Sequence, residues 1–248
     1  MTNAPRFFCD DIRPGSIALC PDESRHARRS LRLQPGDAVE LFDGRGNVGY
    51  GHLSDPPAHE TAAAARGRRH DVPAAVLVAH VLHHPPPPRR LSLIVAAPKG
   101  DRLEWMIEKC TELGAWKITL AEFERSVVHL RPAHAEKLSR TAVEACKQSR
   151  RPWRPQILAG VCLPVALTSA VSDGVLLCAD PSDTAQPLGR WLREQHSEAL
   201  AASILIGPEG GLTADETGCA AFQHVRLAAH TLRIETAAVA AAAAWAMH

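Results

Sequence analysis

The most informative segment of the chain is a glycine-rich turn that follows an apolar run. Residues Ile204–Ile206 read as a buried strand, and they lead directly into a turn that contains Gly207, Gly210 and Gly211. Glycines let the backbone approach a ligand closely and expose its N–H groups. At the carboxyl end of a strand, such a turn is where α/β proteins bind ligands. The pattern therefore favours a binding site over an ordinary tight turn, and it predicts a helix capped by Thr213.

Two further loops carry charged residues next to predicted strands. One lies within Val225–Ala237, contains Arg233 and Glu235, and leads into a helix of nearly pure alanine. Alanine side chains permit very close packing, although such helices also serve as ordinary core elements. The other loop, Glu122–Val128, contains Arg125. A cation and a carboxylate in such loops could stabilise developing negative charge and accept a proton.

Basic residues are concentrated in the middle of the chain, although the formal net charge of the whole chain is only +1. Residues 85–160 contain 14 basic and 8 acidic residues, whereas residues 161–248 contain 4 and 9. A predicted basic helix at Ala135–Arg150 lies in this segment, with Arg151 and Arg154 just beyond it. A charge run is usually a solvated face, but a segregated basic segment also indicates an acidic partner such as nucleic acid.

Two patterns that suggest a dinucleotide or a metal have simpler explanations. Residues Gly44–Gly49 match the G-x-G-x-x-G spacing, but Tyr50–Leu53 read as a strand, whereas a dinucleotide site needs a helix there. We interpret these glycines as part of a hairpin turn. The 13 histidines do not occur in a metal-site spacing, so we expect no metal.

The composition is that of an ordinary globular protein. The 248 residues are 46% hydrophobic and 22% charged, which excludes a disordered or collagen-like chain. The seven cysteines are odd in number and form no C-x-x-C pair, which favours reduced thiols. Met1–Arg13 lacks an apolar signal segment, and the apolar run Thr236–Met247 is too short to span a membrane. We therefore expect a cytoplasmic protein without membrane association.

The order of predicted elements indicates two domains of different architecture. Residues 1–84 show short strands bounded by Pro, Gly and Asp, with one helix at Glu23–Leu33, which fits a small β-barrel. The four prolines from Pro85 impose an extended segment, so residues 85–90 are predicted as a linker. Residues 91–248 alternate apolar strands with helices, which predicts a mostly parallel α/β sheet. The predicted elements there are strands at Leu91–Ala97, Ile118–Leu120, Gly174–Ala179 and Ser203–Ile206, one strand ending at Leu227, and helices at Asp101–Gly114, Ala135–Arg150, Asp215–Ala221 and Ala237–Met247.

Seven segments occur in the order that is typical of one family, and the resemblance that they carry extends over essentially the whole chain. They are Arg6–Phe8, His26–Asp37, Leu41–Gly46, Lys99–Gly114, Glu124–Ser126, Gln148–Arg150 and Ile206–Gly211, of which the last is the most specific. In these segments the chain resembles the bacterial 16S ribosomal RNA uracil-N3 methyltransferases of the SPOUT superfamily, the RsmE type. One motif departs from the family pattern, where Ala228, His230, Thr231 and Ile234 replace a glycine, a basic, an aliphatic and a small residue.

The resemblance implies a fold and a cofactor. The fold is α/β, with an N-terminal PUA-like β-barrel that binds RNA and a C-terminal trefoil-knotted parallel sheet, assembled as a homodimer. The cofactor is S-adenosylmethionine, held in the knot between three loops, and the product is N3-methyluridine in the 16S RNA of the small ribosomal subunit. The cofactor-binding residues carried over are Leu177, Cys178, Ala179, Leu205, Ile206, Gly207, Pro208, Glu209, Gly210, Gly211, Leu227, Ala228, Thr231, Leu232, Arg233 and Thr236.

Methylation at uracil N3 requires removal of the N3 proton and stabilisation of the resulting negative charge. The candidates for stabilising the charge are Arg125 and Arg233, and those for the base are Glu209 and Glu235, although Glu209 could simply hold its turn. The candidates for RNA binding are Arg6, Arg25, His26, Arg28, Arg29 and Arg32 in the first domain and Arg150, Arg151 and Arg154 in the second.

Three other functions are alternatives to this one. A SPOUT enzyme that methylates a ribose 2′-oxygen of transfer RNA is disfavoured by the two-domain order and by the region around Arg6 and His26. A non-catalytic RNA-binding assembly factor is left open by Ala228 and His230. A nicotinamide-dependent oxidoreductase would need a helix to begin at the glycines of residues 44–49.

Overall fold

A computed structural model of the chain describes residues 4–55, 74–195 and 200–248. The chain divides into two compact units, the first made of Met1–Pro86 with Arg150–Trp153 and the second of Pro87–Ser149 with Arg154–His248. The sequence predicts Arg150 and Arg151 in the second domain, whereas both residues group with the first compact unit. The helix that precedes them ends at Ser149, because Arg150 adopts a left-handed backbone conformation with φ of 55°. The Arg150 guanidinium then pairs with the buried Glu40 of the first unit at 2.9 Å.

The first unit is built on a five-stranded sheet. The strands are β1 (Arg6–Phe8), β2 (Gly15–Ala18), β3 (Ala38–Phe42), β4 (Asn47–Ser54) and β5 (Ala75–His83), in the order β1-β3-β4-β5-β2. Strands β1 and β3 are parallel and the other pairs are antiparallel. Its core includes Phe7, Leu41, Leu53 and Val76, all at most 1% exposed.

The local predictions for the first unit are partly confirmed. Gly44 and Gly46 lie in the connection between β3 and β4 with positive φ, and Gly49 lies in β4, so the hairpin interpretation is confirmed. The helix predicted at Glu23–Leu33 is instead a short helix α1 (Pro21–Arg25) followed by a π-helical turn (His26–Ser30).

The second unit is a parallel α/β structure, as predicted. Its sheet contains β6 (Arg89–Ala96), β7 (Lys117–Glu122), β8 (Gln156–Cys162), β9 (Val175–Ala179), β10 (Gln186–Pro187), β11 (Leu200–Ile206) and β12 (Gln223–Arg226), in the order β10-β12-β9-β11-β6-β7-β8. Every neighbouring pair is parallel. The helices are α2 (Arg102–Glu112), α3 (His134–Ser149), α4 (Leu163–Asp173), α5 (Leu188–Glu194), α6 (Ala214–Gly218) and α7 (Ile234–Ala246). The trefoil knot stays a prediction.

Helix α7 lies in the core of the second unit. Its residues Ala238, Ala241 and Ala242 are fully buried, and the helix contacts α2, α5, β6 and β11. Small side chains allow these neighbours to approach closely, which explains the alanine content. The helix begins at Ile234, so Glu235 lies in its first turn and not in the loop where the sequence places it. Among the described residues, no helix is long and apolar enough to cross a bilayer.

Candidate active site

A cavity of about 370 Å³ opens at the carboxyl ends of three neighbouring strands, β9, β11 and β12. Three segments provide most of its walls: the end of β9 with the residues after it, the glycine turn after β11, and the segment after β12. The lining residues are Cys178, Ala179, Asp180, Pro181, Ile206, Gly207, Pro208, Glu209, Gly211, Leu212, Thr217, His224, Leu227, Ala228, His230, Thr231, Leu232, Ile234 and Ala237. The prediction of a site at the glycine turn thus falls on this cavity.

The glycine turn is shaped by close contacts and by the helix that follows it. A Cβ atom added to Gly207 would lie 2.8 Å from the Leu212 side chain, so a side chain at this position would require Leu212 to move. Gly211 has φ of 73° and donates its N–H to the Pro208 carbonyl at 2.9 Å. Thr213 caps α6 as predicted, in a capping box completed by Glu216.

Two hydrogen bonds connect the glycine turn and α6 to the charged loop after β7. Arg125 Nη1 donates to the Gly210 carbonyl at 2.7 Å, and the Glu124 backbone N–H donates to Glu216 Oε1 at 2.8 Å. Glu216 is buried and also accepts from the Thr213 N–H at 2.8 Å. One carboxylate therefore holds the start of α6 and the loop that carries Arg125.

An aspartate and a histidine form a pair on the cavity wall. His224 Nδ1 lies 3.0 Å from Asp180 Oδ2, while Asp180 Oδ1 accepts the Ser182 backbone N–H at 2.8 Å. The Ser182 N–H, with further hydrogen bonds from the Ser182 and His224 side chains, lowers the pKa of Asp180. Sequence reasoning missed both residues, although Asp180 directly follows a predicted strand end, which was an available signal.

Cys178 lies at the same wall, and its thiol is neutral. Burial raises its pKa to about 11, and the negative charge of Asp180 adds to this shift. Because the thiolate is the nucleophilic form, this thiol is not activated for covalent chemistry.

The cavity brings together most of the predicted cofactor-binding residues. Eleven of them line it, from Cys178 to Leu232. Leu177 and Leu205 are fully buried in the sheet instead. Gly210, Arg233 and Thr236 lie outside the lining, although Gly210 is part of the turn and accepts the Arg125 hydrogen bond.

The four catalytic candidates have different surroundings. Glu209 is exposed on the turn and lines the cavity. Arg125 contacts the turn at Gly210. Arg233 is exposed and occupies the N-cap position of α7. Glu235 is buried, lies outside the lining, and has its Oε1 atom 3.6 Å from Arg102 Nε.

The RNA-binding candidates of the first unit also differ in their surroundings. Arg29, Arg32 and His26 are exposed, and Arg25 pairs with Asp22. Arg28 is mostly covered, because its guanidinium donates to the Leu33 and Ser54 carbonyls and pairs with Asp55 at 2.5 Å. Arg6 is buried, with its guanidinium over the Phe42 ring. Arg154 is exposed in the second unit.

Two compact units of different architecture, an α/β unit with a cavity at adjacent strand ends and a smaller β-rich unit, define a two-domain class of protein. Comparison with known proteins identifies the family. The RNA methyltransferase domain family matches residues 85–246, and the RNA methyltransferase PUA domain family matches residues 19–60. The chain therefore belongs to the RNA methyltransferase family.

Individual relatives agree with this membership. The ribosomal RNA small subunit methyltransferase E of Synechocystis is 31% identical over 241 residues, which cover 94% of this chain and 74% of the relative. The crystal structure of a ribosomal RNA small subunit methyltransferase E from Neisseria gonorrhoeae, bound to S-adenosyl methionine, is 28% identical with a TM-score of 0.80, covering 98% of this chain and 96% of that chain. A probable rRNA-methyltransferase from Porphyromonas gingivalis is 28% identical with a TM-score of 0.78, covering 96% and 95%.

Proposed function

We propose that this protein transfers the methyl group of S-adenosylmethionine to N3 of a uridine in the 16S RNA of the small ribosomal subunit. The observation that carries the proposal is the cavity at the carboxyl ends of β9, β11 and β12, in a chain of the RNA methyltransferase family. The similar protein from Neisseria gonorrhoeae, which is bound to S-adenosyl methionine, supports the choice of cofactor.

The residues of the cavity fit this cofactor. The volume of about 370 Å³ lies within the range of roughly 300–1,000 Å³ that is usual for small-molecule sites. Ile206, Leu227 and Leu232 offer apolar contacts to an adenine ring, and the side-chain-free Gly207 lets the backbone approach it. Asp180 offers a carboxylate to a ribose hydroxyl or to a positive charge.

When bound, the cofactor would supply an electrophilic methyl group to the deprotonated uracil N3, and its sulfur would leave as a neutral thioether. Glu209 is the base that removes the N3 proton, because it is the exposed carboxylate on the turn that lines the cavity. Arg125, held beside the turn by the Gly210 carbonyl, stabilises the negative charge on the uracil carbonyl oxygens. In-line positioning by the cavity walls contributes roughly 7–11 kcal/mol in favourable systems.

Glu235 and Arg233 help to position the segment after β12, which forms one wall of the cavity. Glu235 is buried in the first turn of α7, where a carboxylate interacts favourably with the helix dipole, and it lies beside Arg102. Arg233 directly precedes α7, and its carbonyl accepts the Ala237 N–H at 2.8 Å. Together they hold the start of the helix behind the cavity.

The proposal extends to partners and location. The first unit, in which residues 19–60 match the RNA methyltransferase PUA domain family, holds the RNA substrate. We also propose that the protein is a homodimer and that it works in the cytoplasm, where its ribosomal substrate lies.

The proposal is tested with small ribosomal subunits that lack the modification. The protein is incubated with them and with S-adenosylmethionine labelled in its methyl group, and the RNA is then digested to nucleosides. We expect the label in N3-methyluridine. Label in a 2′-O-methylated nucleoside would make the protein a ribose methyltransferase, and absence of label together with absence of cofactor binding would leave an RNA-binding assembly factor.

A further inference from the structure

A second cavity lies entirely within the first unit. Its volume is about 280 Å³, and it is lined by Arg6, Glu40, Val48, Tyr50, His84, Arg150 and Pro152. These residues are different from those of the candidate active site, which all belong to the second unit. Since small-molecule sites usually begin at about 300 Å³, this cavity suits one planar group and not a whole cofactor. We call it the Arg6–Arg150 cavity.

One wall of the cavity is a buried guanidinium. The Arg6 side chain is only 3% exposed, and its guanidinium carbon lies 4.5 Å from the centre of the Phe42 ring. Its Nε atom is 3.9 Å from Glu40 Oε2. Burial of a charged group costs free energy unless neighbouring groups compensate for its lost hydration. The Phe42 ring and the Glu40 carboxylate provide this compensation, and they hold the Arg6 guanidinium in a defined position.

Arg150 also lines the cavity. Its Nη1 atom pairs with Glu40 Oε1 at 2.9 Å, and its Nη2 atom donates to the Ala4 carbonyl at 2.8 Å. Its φ of 55° is a strained conformation for a residue other than glycine. The lining of the cavity contains two guanidinium groups, Arg6 and Arg150, and one carboxylate, Glu40, so the lining residues carry an excess of positive charge.

The segment that contains Arg150 is fixed against the rest of the unit. The Gly46 N–H donates to the Pro152 carbonyl at 3.1 Å, and Trp153 Nε1 donates to the His84 carbonyl at 3.0 Å. A Cβ atom on Gly46 would lie 2.5 Å from the His84 carbonyl oxygen, so no side chain fits between these segments. The cavity wall is therefore a built feature of the fold.

Aromatic rings complete the surroundings. The Tyr50 ring, which lines the cavity, stacks on the His80 ring with 5.1 Å between centroids and 16° between planes. Val48 and Pro152 add apolar surface. Aromatic rings and guanidinium planes are the groups on which unpaired nucleobases stack, and excess positive charge attracts the phosphate backbone.

We propose that the Arg6–Arg150 cavity holds one unstacked nucleotide of single-stranded RNA, with its base against Tyr50 and its phosphate towards Arg150. This inference rests on the proposed function, because it assigns a second contact to the same RNA substrate at a distinct site. An acidic peptide would match the excess charge of the cavity, but it would gain nothing from the stacked ring, so the observations favour a nucleotide.

The first experiment measures binding of fluorescein-labelled hexaadenylate and of a labelled abasic ribose-phosphate hexamer. Saturating S-adenosylmethionine is present throughout, so that the adenines of the probe are kept out of the candidate active site, and hexaadenylate presents no uracil to it. We expect Tyr50→Leu, which keeps an apolar side chain but removes the ring, to weaken hexaadenylate binding about tenfold and to leave abasic binding unchanged. Tyr50→Phe should retain the affinity, and Arg13→Ala, which removes an exposed cation of the same unit, should change neither affinity.

Two results would overturn the assignment. One is an unchanged hexaadenylate affinity in a folded Tyr50→Leu variant, with folding checked by its thermal unfolding transition. The other is equally effective displacement of hexaadenylate from the wild type by hexaglutamate, which would assign the cavity to an acidic peptide.

A second experiment separates this inference from the proposed function. With small subunits that lack the modification, Tyr50→Leu should raise KM and leave kcat unchanged, because the cavity holds substrate without touching the reacting atoms. If the wild type does not methylate the subunits while Tyr50→Leu still loses hexaadenylate affinity, the proposed function fails and the nucleotide cavity stands.

Discussion

Glu209 is the residue on which the proposed chemistry depends most. It lies on the glycine turn, lines the cavity and is exposed, whereas Glu235 is buried and lies outside the lining. We expect Glu209→Gln to lower kcat by about 10²-fold or more, because the amide cannot accept the N3 proton. Initial rates and calorimetric titration with S-adenosylmethionine would separate loss of rate from loss of cofactor binding.

The matched control is Asp215→Asn, which neutralises another exposed carboxylate just after the turn. It should keep the wild-type kcat. If Glu209→Gln also turned over at the wild-type rate, Glu209 would serve only to hold its turn, and the base would have to be another group.

Asp180 makes the stability of the second unit depend on pH. Its pKa in the folded protein lies below its ordinary value of 3.8, mainly because of the Ser182 backbone N–H. The ionised carboxylate therefore adds stability that is present above pH 3.8 and is lost as the pH falls through the lowered pKa. In urea unfolding at a series of acidic pH values, Asp180→Asn should lack this part of the decline in unfolding free energy. A pH dependence equal to that of the wild type would show that Asp180 does not contribute.

At this scale, the sequence identifies residue types better than it identifies their partners. It predicts Arg28 as a phosphate contact, yet this side chain is engaged by two backbone carbonyls and Asp55. It misses the pair of Asp180 and His224, since these residues are 44 positions apart in the chain and meet only because β9 and β12 are neighbours. Such contacts depend on strand pairing, which no local pattern specifies.

At the scale of elements, helix α7 limits the space behind the cavity. Ala238 is fully buried, whereas Ala246 near the end of the same helix is exposed. We expect Ala238→Leu to lower the unfolding free energy by about 1–3 kcal/mol through overpacking, and to weaken cofactor binding because Ala237 lines the cavity. Ala246→Leu is the control and should leave both quantities close to the wild type. Equal stability of the two variants in urea unfolding would contradict the close packing of this helix.

Elements with strong local signals were predictable and others were not. The strand before the glycine turn, the Thr213 cap and the alanine helix all have sequence signatures, and all three are present. Helix α4 was missed although the proline in its first turn is a typical helix-start signal, and α5 is only 7 residues long, which leaves little periodicity to detect. The order of the seven strands depends on pairing between distant segments, so it could not be derived from periodicity.

For the molecule as a whole, RNA binding should be electrostatic and therefore sensitive to salt. Arg29 and Arg32 are exposed in the first unit, and Arg190 and Arg193 are exposed in the second. We expect the double variant Arg29→Ala/Arg32→Ala to make the logarithmic salt dependence of RNA affinity shallower by about 1.4, because each phosphate contact on single strands contributes roughly 0.7. The control Arg190→Ala/Arg193→Ala removes the same charge and should keep the wild-type slope. If both double variants changed the slope equally, net charge and not the first unit would govern binding.

The central claim is that the cavity at the ends of β9, β11 and β12 binds the methyl donor. The most direct measurement is a crystal structure of the protein soaked in S-adenosylmethionine. We predict that the methyl donor lies between residues 178–181, the turn at residues 206–212 and the segment 227–232. Its methyl group should be accessible to a uracil ring near Glu209. A structure in which the donor is absent from this cavity, or is bound elsewhere, would contradict the account.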